Sequence, residues 1–133
     1  MKAAPSVQSS FAAHRAIAVI FLLIFGSLLH AASREPKAYA IAEITVTDPV
    51  AYKDYLSAVT PIVAHFGGKY IVRAGQIVPV EGGGPAGRFV IIEFPSLAVA
   101  QKFESSQQYR SIVPLRTKAT RTRLFLVEGV PVH

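Results

Sequence analysis

From residue 38 to residue 47 the chain alternates, with Ala38, Ala40, Ala42, Ile44 and Val46 apolar and Tyr39, Ile41, Glu43, Thr45 and Thr47 mixed. A period of two describes a strand with one buried face and one partly polar face. Asp48-Pro49 then supplies a helix N-cap and a proline at the first helical position. From Val50, the residues Tyr52, Tyr55, Leu56, Val59, Ile62, Val63 and Phe66 recur at steps of three and four. That spacing predicts an amphipathic helix on a sheet, kinked at Pro61 and ended by Gly67-Gly68.

Lys69 to Ala74 reads as a second strand, with Ile77 to Val80 as a continuation, and the turn-rich 81–87 stretch joins it to a third strand, Arg88 to Phe94. Pro95-Ser96 stops that strand and caps a helix from Leu97, which carries Ala100 and Phe103 on one face. A further helical stretch with Tyr109, Ile112, Val113 and Arg116 is interrupted by Pro114, and Arg121 to Val130 forms the last strand. The order βαββαβ predicts an α+β, ferredoxin-like domain over 38–131. It has a four-stranded antiparallel sheet with both helices on one face. Right-handed crossovers place strands 1 and 3 at the sheet centre, where we expect them to lie side by side and parallel.

The other sheet face is then uncovered, and it is not wholly polar. Strand parity puts Tyr39, Ile41 and Glu43 there beside Phe89, Ile91 and Glu93, and a weaker alternation on strand 2 pairs Ile71 with Arg73. Such a face calls for cover by a second copy or by a ligand, so a homodimer is expected. Arg73 would meet Glu43 and Glu93, either as a structural ion-pair network at the dimer interface or as a binding or catalytic cluster.

Ahead of the domain, Lys2, His14 and Arg15 precede an uncharged run of about fourteen residues, Ala16 to Leu29, followed by Ala31, Ala32 and Ser33. Residues 1–32 therefore read as a signal peptide or an N-terminal membrane anchor, and 33–37 as a linker. The run is short of the roughly twenty residues of a spanning helix. The small-residue exit is imperfect, because Leu29 and His30 stand two residues before Ala31 and Ala32. An exported protein, periplasmic or secreted, is the expectation, with tethering to the inner membrane through residues 16–32 as the alternative. That segment is the only membrane contact expected.

Charge and composition narrow the chemistry. The formal charge of +6 falls to about +4 without Lys2 and Arg15, too mild for a nucleic-acid binder. Gly87 to Phe94 loosely echoes an RNA-binding strand pattern, but Glu93 on that face argues against it. The absence of cysteine excludes disulfides, thiolate metal sites and thiol nucleophiles, and leaves the redox compartment undetermined. His14 and His30 lie in the N-terminal segment and His133 is terminal, so no metal site is expected. His65 closes the first helix, as a dipole partner or as a general base. With no tryptophan and no axial histidine candidate, a haem role is disfavoured and no cofactor is expected. Gly82-Gly83-Gly84 runs from strand to strand and lacks the lysine of a phosphate loop. Arg116, Lys118, Arg121 and Arg123 form either a solvated face or an anion-steering patch.

The stretch Gly67-Gly68-Lys69-Tyr70-Ile71-Val72-Arg73-Ala74-Gly75, then Val80-Glu81-Gly82 and Arg88-Phe89-Val90-Ile91-Ile92-Glu93-Phe94-Pro95-Ser96, resembles the DUF1330 family. Ser106 to Tyr109 with Arg116 and Ala119, and the terminal Val127-Glu128-Gly129, extend the resemblance over nearly all of 38–130. It implies a dimeric α/β-barrel, in which two ferredoxin-like sheets pack face to face. That superfamily includes small monooxygenases, haem-degrading enzymes and dehydratases, whereas DUF1330 has no settled activity. A helix-end histidine such as His65 fits the family pattern, while Ala74 stands where the family usually has glycine.

Two functions remain open. One is a homodimer that binds or transforms a small molecule in a pocket between sheet and helices. Its ligand contacts would be Tyr55, Arg73, Glu93, Tyr109 and Arg116, with His65, Arg73 and Glu93 as catalytic candidates. The other is a non-catalytic structural or interaction dimer of the cell envelope.

Overall fold

Two capped turns set the path of the chain. The computed structural model describes Met1 and residues 35–131; the remainder of the expected signal peptide or anchor, and the start of the linker, lie outside the described residues. Strand β1 (Ala38–Val46) buries Ala38, Ala40, Ala42 and Ile44, as its alternation requires. The Asp48 carboxylate accepts from the Val50 and Ala51 amides at 3.0 Å each and starts α1 (Pro49–His65). This helix lays Tyr52, Tyr55, Val59 and Val63 on the sheet. Pro61 lies on its exposed side, and the helix runs through it. At its end Gly67 takes φ +71°, and Gly68 N–H donates to the Val63 carbonyl at 2.9 Å.

β2 (Lys69–Arg73) and β3 (Arg88–Phe94) follow, then α2 (Leu97–Ser105), α3 (Gln107–Ala119) and β4 (Thr120–Glu128). Residues 74–87 are a loop, so the expected continuation of β2 through Ile77 to Val80 does not form. The helical break falls at Ser106 rather than Pro114. Ser106 is extended, its N–H donates to the Phe103 carbonyl at 3.1 Å, and its hydroxyl accepts from the Tyr109 amide at 3.2 Å. One serine thus closes α2 and opens α3, and Pro114 is carried on the exposed side of α3.

The sheet order is β2-β3-β1-β4 and every neighbouring pair is antiparallel. Strands β1 and β3 are adjacent at the centre, as expected, but they are antiparallel rather than parallel. The reason is directional: α1 returns the chain so that β2 runs with β1, and the 74–87 loop reverses it into β3. All three helices cover one face, and the core between the layers centres on Phe94, Phe103 and Val63. Among the described residues, no helix is long and apolar enough to cross a membrane.

Strand β2 carries an irregularity. Lys69 and Tyr70 pair with Glu93 and Ile92, but Val72 pairs with Ile91, so one extra residue, Ile71, is inserted. Beyond it the parity flips. Arg73, opposite the helix-facing Val90, turns to the helix side instead of joining Glu43 and Glu93 on the open face.

Just past β2, Ala74 holds φ 54° while its N–H donates to the Phe89 carbonyl at 2.9 Å. A left-handed residue with a Cβ costs about 1–2 kcal/mol, and glycine there gives back part of that in chain entropy. Ala74→Gly, the residue usual in the resembled family, is expected to raise stability by about 0.5–1 kcal/mol, read from the urea midpoint. A lowered midpoint would mean that the turn is not strained.

Candidate functional site

Short side chains on the central strand make the site possible. Ala40 and Ala42 face the helices where a longer aliphatic would fill the layer, and a cleft opens above them. Its floor and walls are apolar, from β1, β3, β4, α1 and Phe103 of α2. About 50 Å³ is open to the centres of water-sized molecules. A water needs about 10–15 Å³ on that measure, so the cleft suits a few waters or a small ligand group.

The polar lining is aromatic and cationic. Tyr52 and Tyr55 come from α1, Tyr70 from β2 and Tyr109 from α3. Each of three arginines sits over one tyrosine ring: Arg73 over Tyr70 at 4.3 Å, Arg88 over Tyr52 at 5.9 Å, and Arg116 over Tyr55 at 6.0 Å. Arg73 Nη2 also donates to Thr60 Oγ1 at 3.2 Å. Arg73 and Arg88 are exposed at the mouth, whereas Arg116 reaches deeper, and its Nε is buried with no protein acceptor. Gly87 shapes the mouth: it has φ +69°, and a Cβ there would overlap the Ile44 carbonyl, so β3 enters close against β1 with Arg88 at its first position.

Burial raises the phenol pKa of Tyr52, Tyr55, Tyr70 and Tyr109, opposed in each case by neighbouring arginines. For Tyr55 the adjoining Tyr109 hydroxyl adds to the rise, and for Tyr109 the Glu104 charge does so. All four hydroxyls are therefore neutral hydrogen-bonding groups across the physiological range. The Glu104 carboxyl, at the cleft edge, is also raised by burial above its ordinary 4.5, with Arg116 pulling the other way.

Glu104 gives a pH prediction. The folded chain holds this proton more tightly than the unfolded chain, so its stabilising effect is complete below about pH 4.5 and is lost as pH rises through the raised value. Across that window the wild type should lose more stability than Glu104→Gln, measured by urea unfolding at stepped pH. Parallel profiles would mean that Glu104 is solvated in the fold.

Of the residues expected from sequence, the cleft brings together Tyr55, Arg73, Tyr109 and Arg116. Glu93 is not among them. It lies on the open face, bound to Lys37 at 2.7 Å, while Glu43 pairs with Arg123 at 2.8 Å. Arg73, Glu43 and Glu93 thus do not meet. His65 is exposed at the end of α1 with its ring edge-on to Phe66 at 5.2 Å, away from the cleft. Among the described residues, no group of acidic or histidine side chains is arranged to hold a metal.

Sequence reasoning missed Tyr52, Tyr70, Arg88 and Glu104. Tyr52 is three residues before Tyr55 on one helix face, and Arg88 has the parity of helix-facing Val90, so both were within reach of the pattern. Tyr70 precedes the bulge and has the helix-side parity that plain alternation with Ile71 gives it, so it too was within reach, whereas nothing in the sequence marks Glu104.

The open face has its own order. Val72, Ile91, Ile41 and Phe125 stand in register as an apolar row across all four strands. The ion-paired rows lie to either side, at Glu93 and at Glu43.

The family model described as a domain of unknown function, DUF1330, matches residues 37–130. A crystal structure of a protein of unknown function from Rhodopseudomonas palustris is similar with a TM-score of 0.58 and 22% identity, covering 83% of this chain and 94% of that one. The methylated form of that protein is similar with a TM-score of 0.57 and 22% identity, over 81% of this chain and 90% of that one. SnoaB, a cofactor-independent oxygenase from Streptomyces nogalater, is similar with a TM-score of 0.48 and 8% identity, over 73% of this chain and 96% of that one. No protein with a curated description matches the sequence.

Proposed function

We propose that this chain, which belongs to the DUF1330 family, works as a homodimer that binds a small organic molecule in the cleft between its sheet and its helices. The observation that carries this reading is the convergence of four tyrosines and three arginines, from four elements, on one apolar concavity. Core packing alone gives no reason to place Tyr52, Tyr55 and Tyr109 over the short Ala40 and Ala42 with their hydroxyls toward a common space. Binding is the part of the function that the geometry supports. The tyrosines are too weakly acidic to act as bases, and His65 stands apart.

The open face supports the dimer. A face whose apolar row is bordered on both sides by paired charges is self-complementary, because a twofold axis in the plane of the sheet lays row on row. Export remains part of the reading on the strength of the Ala16 to Leu29 run alone.

Native mass spectrometry of the protein from its own host tests the three points together. A dimer with a retained small molecule and a shortened N-terminus is expected; an intact N-terminus in the membrane fraction would favour the anchor. Ala42→Leu should fill the cleft and remove the retained molecule while leaving the dimer. A ligand that survives this substitution unchanged must sit elsewhere, and the cleft reading then fails.

A further inference from the structure

We infer that the cleft selects organic anions, and that Arg116 receives the single carboxylate of a ligand whose flat or short apolar body rests on Ala40, Ala42 and Phe103. The inference rests on the reading of the cleft as a ligand site and adds the chemical class.

Charge balance comes first. Among the described residues the two salt bridges are both on the open face, and Arg73, Arg88 and Arg116 have no carboxylate at ion-pair distance. The lone acid of the cleft, Glu104, has its pKa raised by burial and pulled down by Arg116, and it forms no ion pair with that guanidinium. Three guanidinium groups around an apolar hollow attract each other's counterions and repel cations.

The second observation concerns one atom. Arg116 Nε is buried without a protein acceptor, although a buried donor left unmet is costly. A guanidinium presents Nε and one Nη as a fork that matches the two oxygens of a carboxylate. The Tyr109 hydroxyl, which interacts with Arg116 and with Tyr55, is protonated and adjoins the same point. An amide or alcohol would satisfy at most part of that fork.

The rest of the cleft limits the ligand. With one deep arginine and an apolar floor, a monoanion with a hydrocarbon body fits, whereas a phosphate dianion would leave most of its oxygens against carbon. Arg73 and Arg88 at the mouth supply attraction on approach rather than the deep contact.

Calorimetric titration of the full chain with matched pairs tests this: benzoate against benzamide, and hexanoate against hexanamide. Each acid is expected to bind about tenfold or more tightly than its amide, in line with hydrogen bonds to a charged group. Arg116→Gln should abolish that preference, while Arg110→Gln, on the exposed side of α3, should keep it. The Nε–H resonance of Arg116 in the unaltered protein should move on addition of benzoate, a readout that needs no variant. If amides bind as well as acids, the anion inference falls and the cleft reading stands. Binding of neither member of either pair would overturn both. A preference unchanged in Arg116→Gln, with the resonance unmoved, would remove Arg116 from the role.

Discussion

Phe103→Ala is expected to lower the unfolding free energy by about 3–5 kcal/mol, as removal of a buried phenylalanine does. The side chain is 2% exposed, and its ring lies 4.4 Å from Tyr109, 5.1 Å from Phe94 and 5.8 Å from Phe66. It joins α2, α3, the sheet and the end of α1 in one aromatic cluster. For a domain with about 5–15 kcal/mol in hand this is a large share, and each kcal/mol is worth about 4–8 °C of melting temperature. A fall of roughly 12 °C or more is therefore expected in a thermal melt. Phe103→Leu, which leaves a smaller void, should lose much less. A shift of only a few degrees for the alanine variant would mean that the surrounding rings collapse into the space. Because Phe103 also lines the cleft and packs against Tyr109, ligand binding should weaken even at temperatures where the variant is folded.

This coupling of core and site explains which parts of the protein were legible in its sequence. The alternation of β1 was simple to follow because each helix-facing position is apolar and the pleat allows no other phase. The starts of α1 and α2 were legible through Asp48-Pro49 and Ser96, whose side chains accept the first free amides. The failures have local causes. Pro114 looked like a break because proline forfeits one helical bond, yet Ser106 satisfies two chain ends at once and wins. The expected parallel pairing of β1 and β3 failed on chain direction, which the 74–87 reversal determines.

The site was half legible for the same kind of reason. Tyr55, Tyr109 and Arg116 follow from helical periodicity, since each lies on the face that its helix turns to the sheet. Arg73 was placed correctly in the cleft but by way of the wrong neighbours. A strict period of two sent it to the open face, and the bulge at Ile71 returned it to the helix side. A bulge adds a residue without any fixed sequence mark, so no alternation argument on a five-residue strand could have found it. Glu93 suffered the opposite error: its strand face was right, and that face is simply not the one with the cleft.

The second large effect is expected at the open face. Phe125→Lys should turn the proposed homodimer into monomers, raising its dissociation constant by about 10²–10⁴-fold. Phe125 is 43% exposed in a single copy, on the edge strand β4, so the fold of one copy loses little by the change. In a twofold dimer every substitution acts twice. Burial of one phenylalanine is worth about 1.5–3 kcal/mol, so two lost anchors amount to about 3–6 kcal/mol before the cost of bringing lysines into an apolar row. Val50→Lys makes the same exchange on the helix layer, at a position 77% exposed, and should leave the dimer intact. Sedimentation equilibrium decides between them. If Phe125→Lys remains a dimer, the apolar row of Val72, Ile91, Ile41 and Phe125 is not what joins the copies. If it becomes a folded monomer that still prefers benzoate to benzamide, the two faces of the sheet act independently. The cleft would then need only its own helices, and the dimer would serve to cover the face that those helices leave bare.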